Sequence, residues 1–143
     1  MKLTTKGRYA ITAMLDLALN AGGQPISLAY ISSRQSISIS HMEQLFAKLR
    51  KAALVRSVRG PGGGYRLARA PEDIYISEVI DAVVGAGSME VDPHGQQRST
   101  DILWGRLSGK IHSFLSGISL AQLVTDFRAE QAHADDQSTA LQG

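Results

Sequence analysis

Three features of the 143-residue sequence predict a mainly α, winged helix-turn-helix fold extended by a long C-terminal dimerisation helix. Two short amphipathic segments are separated by a tight polar break, and a glycine-rich turn then joins two short β-patterned runs. Further along, large apolar residues recur at helical spacing over about five turns.

Residues 8–20, RYAITAMLDLALN, set Tyr9, Met14, Leu15, Ala18 and Leu19 at helical spacing, with Gly22-Gly23 as the stop signal. After Pro25, Ser27 is placed to cap a helix over about 28–35. Ser36-Ile37-Ser38 forms the next break. Ser40 and Glu43 stand three apart, the spacing of a capping box, ahead of a helix to about Ala52 that carries Met42, Leu45, Phe46 and Leu49 on one face. Residues 54–59 and 65–69 read as strands joined by Gly60-Pro61-Gly62-Gly63-Gly64, where glycine supplies positive φ without a Cβ clash. That hairpin is the wing, and it carries Arg56, Arg59, Arg66 and Arg69.

Pro71 and Glu72-Asp73 close this first unit, and Ser77 is expected to cap a helix over about 78–84. The winged helix-turn-helix unit is thus expected to span residues 1–84. Residues 85–99, polar and rich in glycine, are expected to form an exposed loop. Residues 100–130 are expected to form a long helix and a short one, the second opened by a capping box of Ser119 and Gln122, before a disordered tail over 131–143. The long helix carries Leu103, Leu107, Ile111, Phe114, Leu115 and Ile118, with Trp104 widening the stripe. So wide an apolar face needs a cover, and a second copy of the chain is the expected one, with packing onto residues 8–20 as the alternative.

The charge is divided. Residues 1–69 hold eleven Lys/Arg against Asp16 and Glu43, a balance of +9, and residues 70–143 hold four against eleven Asp/Glu, a balance of −7. A basic half of this kind suits a polyanion. No cysteine is present, which excludes disulfides, thiolate zinc sites and cysteine nucleophiles. The glycine turn is no phosphate loop, because it joins strand to strand and no βαβ unit surrounds it. Of His41, His94, His112 and His133, no two have the spacing of a helical zinc pair. No Ser/His/Asp set suggests a cleft, so no enzyme is expected. The sequence offers neither a signal peptide nor a membrane span, and the expected location is the cytoplasm.

Double-stranded promoter DNA accounts for more of these residues than any other partner. Ser40, His41, Glu43 and Gln44 fall on the first turn of the second helix, the part that reaches base edges in a major groove. Arg59, beside the turn, is placed for a narrow minor groove. Thr4, Lys6, Arg8, Lys48, Arg50, Lys51 and Arg66 are expected to contact phosphates.

The segments MKLTTKGRYAITAMLDLALN, ISHMEQLFAKLRKAALV and above all SVRGPGGGYRLAR closely resemble the IscR superfamily of iron–sulfur cluster regulators, a group of small winged-helix repressors. The likeness weakens through ISEVIDAVV and resumes at LWGRLSGKIHSFLSGISLAQLV. It implies a homodimer on a palindromic promoter site, controlling iron–sulfur assembly or related iron, sulfur and redox genes. It also implies base contacts from Ser40, His41, Glu43, Gln44 and Arg59, with His41 standing where the family usually has Tyr. Cluster-binding members carry three cysteines and a histidine before the long helix. Aligned on Leu103-Trp104, the last cysteine position falls near Arg98 and the histidine position on Asp101. His94 and Asp101 are weak metal candidates at most. The expectation is a regulator without a thiolate-held cluster. A protein-interaction module and a small-molecule sensor are the alternatives.

Overall fold

The computed structural model describes residues 5–20, 23–85 and 99–142, and among these the chain forms six α-helices and one antiparallel hairpin. Helices α1 (Thr5–Leu19), α2 (Leu28–Gln35) and α3 (Ile39–Lys51) precede strands β1 (Val55–Val58) and β2 (Gly64–Leu67). A single 3-10 turn at Pro71–Asp73 leads into α4 (Ile76–Val84), α5 (Ser99–Ser116) and α6 (Leu120–Gln142). Thr4, Gly22, His94 and the expected loop between α4 and α5 lie outside the described residues, as does the side chain of Asp101.

The helix-turn-helix is set by two serine caps. Ser27 Oγ accepts from Tyr30 N at 3.2 Å and starts α2, as the sequence predicts. Ser36 ends α2 in the left-handed region at φ 56°, and the buried Ser32 hydroxyl donates to the Ile37 carbonyl to hold the turn. The cap of α3 is Ser38, whose Oγ accepts from His41 N at 3.2 Å, so Ser40 is already inside the helix. Starting at Ile39 instead of His41 lengthens the helix by two residues, and the Ser40–Glu43 capping box is not formed.

Met42, Leu45, Phe46 and Leu49 of α3 are buried with Ala10, Ala13, Met14 and Leu17 of α1 and with Val79, Ile80 and Val83 of α4. The hairpin pairs Val55 with Leu67, Arg56 with Arg66, Ser57 with Tyr65 and Val58 with Gly64, closed by Gly63 N to Gly60 O at 2.9 Å. Its strands are shorter than the sequence suggests, because Leu54 turns into the core and Arg59 begins the turn. Ile26 extends the sheet as one bridge, exchanging both backbone bonds with Tyr65 at 2.8 and 2.9 Å. A Cβ on Gly64 would strike the Ile26 carbonyl, so this close approach requires glycine. The wing is thereby tied to the start of α2.

Helix α4 begins at Ile76, earlier than predicted. Glu78 Oε2 accepts from Tyr75 N at 3.0 Å, while Ser77 is buried inside the first turn and its hydroxyl lies 3.0 Å from that of Ser116 on α5. His112 Nε2 on α5 meets Asp81 Oδ2 of α4 at 2.9 Å. The Tyr75–Ser119 bridge, with Ile76 N to Ile118 O at 2.9 Å, holds the α5–α6 corner against the same region. Ser119 Oγ accepts from Gln122 N at 3.1 Å, as expected of a cap. Helix α6 then continues through Gln142 instead of giving way to a disordered tail after residue 130. Residues 120–142 contain no Gly or Pro, and propagating a helix costs far less than starting one.

Candidate nucleic-acid interface

The outward face of α3 begins with Ser40, Glu43 and Gln44, all exposed, opposite the buried stripe that anchors the helix. His41 differs from them. It is half-buried, and its ring meets the Tyr9 ring edge-on, with centroids 5.6 Å apart at 79°. The imidazole therefore also joins the recognition helix to α1, as an aromatic contact that a Tyr could make too.

The wing concentrates positive charge. Arg56 and Arg66 are directly opposite in the register, both exposed, and Arg59 is exposed where β1 enters the turn. Like charges in a cross-strand pair are destabilising, so a wing built this way is suited to a polyanion that neutralises both. Arg56 was not singled out as a contact by the sequence; the register that pairs it with Arg66 is what reveals it. Lys6 and Arg8 are exposed in the first turn of α1, where cations oppose the helix dipole, a second local cost that an anionic partner would relieve. Arg50 and Lys51 are exposed at the C-terminal turn of α3, where cations are favoured.

Two cations are engaged elsewhere. Lys48 Nζ lies 3.4 Å from the Val83 carbonyl at the end of α4, so this predicted phosphate contact bridges helices. Arg69 folds away from the wing tip, with NH2 3.1 Å from Glu78 Oε1 and NH1 3.2 Å from the Asp73 carbonyl. It braces the base of the hairpin against α4.

The stripe on α5 divides in two. Leu115, and Ile118 just beyond the end of α5, pack partly on the core of their own chain, and Ile111 is half-buried. Leu103 (67%), Trp104 (65%), Leu107 (45%) and Phe114 (70%) are exposed, together with Ile102, which the sequence reading did not single out. Among the described residues, no three or more His, Asp or Glu side chains converge as a metal site would need.

Residues 3–126 match the Rrf2 family, described as iron-dependent transcriptional regulators. The chain belongs to the Rrf2 family. The transcriptional regulator IscR of Aliivibrio salmonicida is 53% identical over 137 residues, covering 92% of this chain and 82% of its own length. The solved structure of T. potens IscR superposes with a TM-score of 0.72 at 41% identity, over 92% of this chain and 90% of that one. CymR, the global cysteine regulator of B. subtilis, superposes at 0.74 with 34% identity over 87% and 97%. As an Rrf2 regulator the chain has the winged-helix arrangement that its recognition helix and wing require.

Proposed function

We propose that the chain is a sequence-specific DNA-binding transcription regulator that acts as a homodimer on a palindromic promoter site in the cytoplasm and catalyses no reaction. The observation that carries the reading is the exposed Ser40–Glu43–Gln44 turn of α3 together with a wing whose Arg56, Arg59 and Arg66 are exposed and unpaired with any acid among the described residues. With α3 in a major groove, Ser40 and Gln44 reach base edges, Glu43 accepts from a cytosine amine, and His41 contacts a base beside its Tyr9 contact. Arg59 enters the adjoining minor groove, while Lys6, Arg8, Arg50, Lys51, Arg56 and Arg66 fix the register on phosphates.

The dimer is supported by the large side chains exposed on one face of α5. Two such faces together form a self-complementary seam, the usual arrangement of a two-fold dimer. The likeness to IscR supports target genes in iron–sulfur assembly or related iron, sulfur and redox functions. A thiolate-held iron–sulfur cluster, however, does not fit the donor set. The sequence has no cysteine, and carboxylates with a stray imidazole are poor substitutes for thiolates around such a cluster. We therefore propose regulation without a cluster of that kind.

The test is a titration of the protein against its own upstream region and against scrambled duplex of equal length, over a range of salt. The expected result is a tighter, footprinted site with two-fold symmetry, above a salt-dependent background. Equal affinity for both duplexes at every salt concentration would overturn the reading.

A further inference from the structure

Helix α2 carries an ordered polar cluster that neither the base-reading turn of α3 nor the wing uses. Asp16 on α1 is buried, its side chain 6% exposed. One carboxylate oxygen accepts from Gln35 Nε2 at 2.6 Å and the other faces Arg34 NH2 at 3.3 Å. Arg34 NH1 is 3.4 Å from Tyr30 Oη, and its guanidinium carbon stands 5.8 Å from the centre of the Tyr30 ring. The phenol and the carboxylate together hold the guanidinium still further above its ordinary pKa, the phenol having the larger effect.

A staple between α1 and α2 explains Asp16, Gln35 and the inner edge of Arg34. It does not explain Tyr30, a large aromatic left half exposed on the same stripe of α2. Guanidinium has five N–H donors, and the two contacts just described use two of them. The phenol accepts from Arg34, so its own hydrogen remains to be donated outward. Tyr30 and Arg34 stand four apart on one helix, which brings their polar ends to one solvent-facing spot. Helix α2 has no acidic side chain, and the carboxylate of Asp16 is turned inward beneath the guanidinium. In a helix-turn-helix the first helix crosses the DNA backbone when the second occupies the groove.

We propose that Tyr30 and Arg34 form a preorganised clamp for one phosphodiester of the DNA backbone, with Asp16 as the positioning residue beneath it. The clamp rests on the DNA-binding reading above. Arg34 supplies a planar pair of donors to the phosphate and Tyr30 a third, with the orientation already set before DNA arrives. Its contribution is to register and affinity, with no base read.

The experiment uses the full chain and an operator duplex carrying one uncharged methylphosphonate at a time. At one backbone position the unaltered protein should lose about five- to tenfold in affinity. At that same position Arg34→Lys, already weakened on the unmodified operator, should lose about twofold or less, because the planar donor pair is gone, and Tyr30→Phe, which keeps that pair and lacks only the third donor, should lose an intermediate factor. Elsewhere the losses should multiply independently. Thermal melting of Tyr30→Phe should match the unaltered protein, since only an exposed hydroxyl is removed. The proposal is overturned if both variants lose the same factor as the unaltered protein at every phosphate, or if either changes base preference. Failure of the unaltered protein to distinguish operator from scrambled duplex would instead remove the DNA-binding reading, and the clamp with it.

Discussion

Truncating the exposed face of α5 gives the sharpest quantitative test of the dimer. Phe114 is 70% exposed in the single chain, so Phe114→Ala should change the stability of an isolated protomer by no more than a typical surface substitution, within about 0.5 kcal/mol. Fully burying a Phe side chain is worth about 1.5–3 kcal/mol, of which roughly 70% remains to be gained on association. That is about 1–2 kcal/mol per side chain. Two-fold symmetry applies it twice, so the dimer should lose about 2–4 kcal/mol, or roughly 30- to 700-fold in its dissociation constant. Adding Leu107→Ala, with 45% of that residue still exposed, should weaken it by about a further 1.4–2.7 kcal/mol.

Ile111 is the poorer choice for this purpose, because it is already half-buried in the single chain and has less area left to gain on association. Sedimentation velocity over a hundredfold dilution range reads the association directly, and operator titration at the same concentrations should weaken in parallel. Unchanged association in the Phe114→Ala, Leu107→Ala protein would refute the reasoning, since it would leave those side chains exposed in the dimer too.

Ser38→Ala should cost about 1 kcal/mol of stability through loss of the α3 cap, whereas Ser40→Ala should leave the melting temperature nearly unchanged and weaken operator binding; calorimetry and titration together separate the two. Arg59→Ala should weaken binding most on operators with a narrow A·T minor groove, while Lys51→Ala should weaken all duplexes alike and flatten the salt slope by roughly one unit. After attempted anaerobic reconstitution with iron and sulfide, no visible charge-transfer band should persist through gel filtration, and operator affinity should match that of the aerobic protein.

Periodicity locates the core face of α3, where burial of Met42, Leu45, Phe46 and Leu49 follows from spacing alone, but on α1 it misses Ala10, Ala13 and Leu17, which are buried while Leu15 and Leu19 are only partly so. The glycine turn was legible for the same kind of reason: five residues with little side chain between two β-patterned runs leave few conformations other than a hairpin. Caps were harder. Ser36, Ser38 and Ser40 are chemically equivalent candidates, and the choice among them follows from where the left-handed turn at Ser36 leaves the chain. The end of α6 is hard to read from the sequence because its apolar spacing fades while its helix-forming residues continue.

The functional residues divide along a different line. Ser40, Glu43, Gln44 and Arg59, the proposed base readers, occupy exposed positions, and exposure on an amphipathic helix or beside a turn can be read from the pattern. Lys48, Arg69 and Arg34 look no different in sequence from Lys51 or Arg66. What separates them is the Val83 carbonyl, the Glu78 carboxylate and the Asp16 carboxylate, brought near by packing between segments 35, 9 and 18 residues apart. A charged side chain near such a partner loses reach as it gains orientation. Under the clamp proposed above, the Asp16 carboxylate leaves the solvent-facing donors of Arg34 aligned, whereas Arg69, held between Glu78 and the Asp73 carbonyl, braces the base of the hairpin.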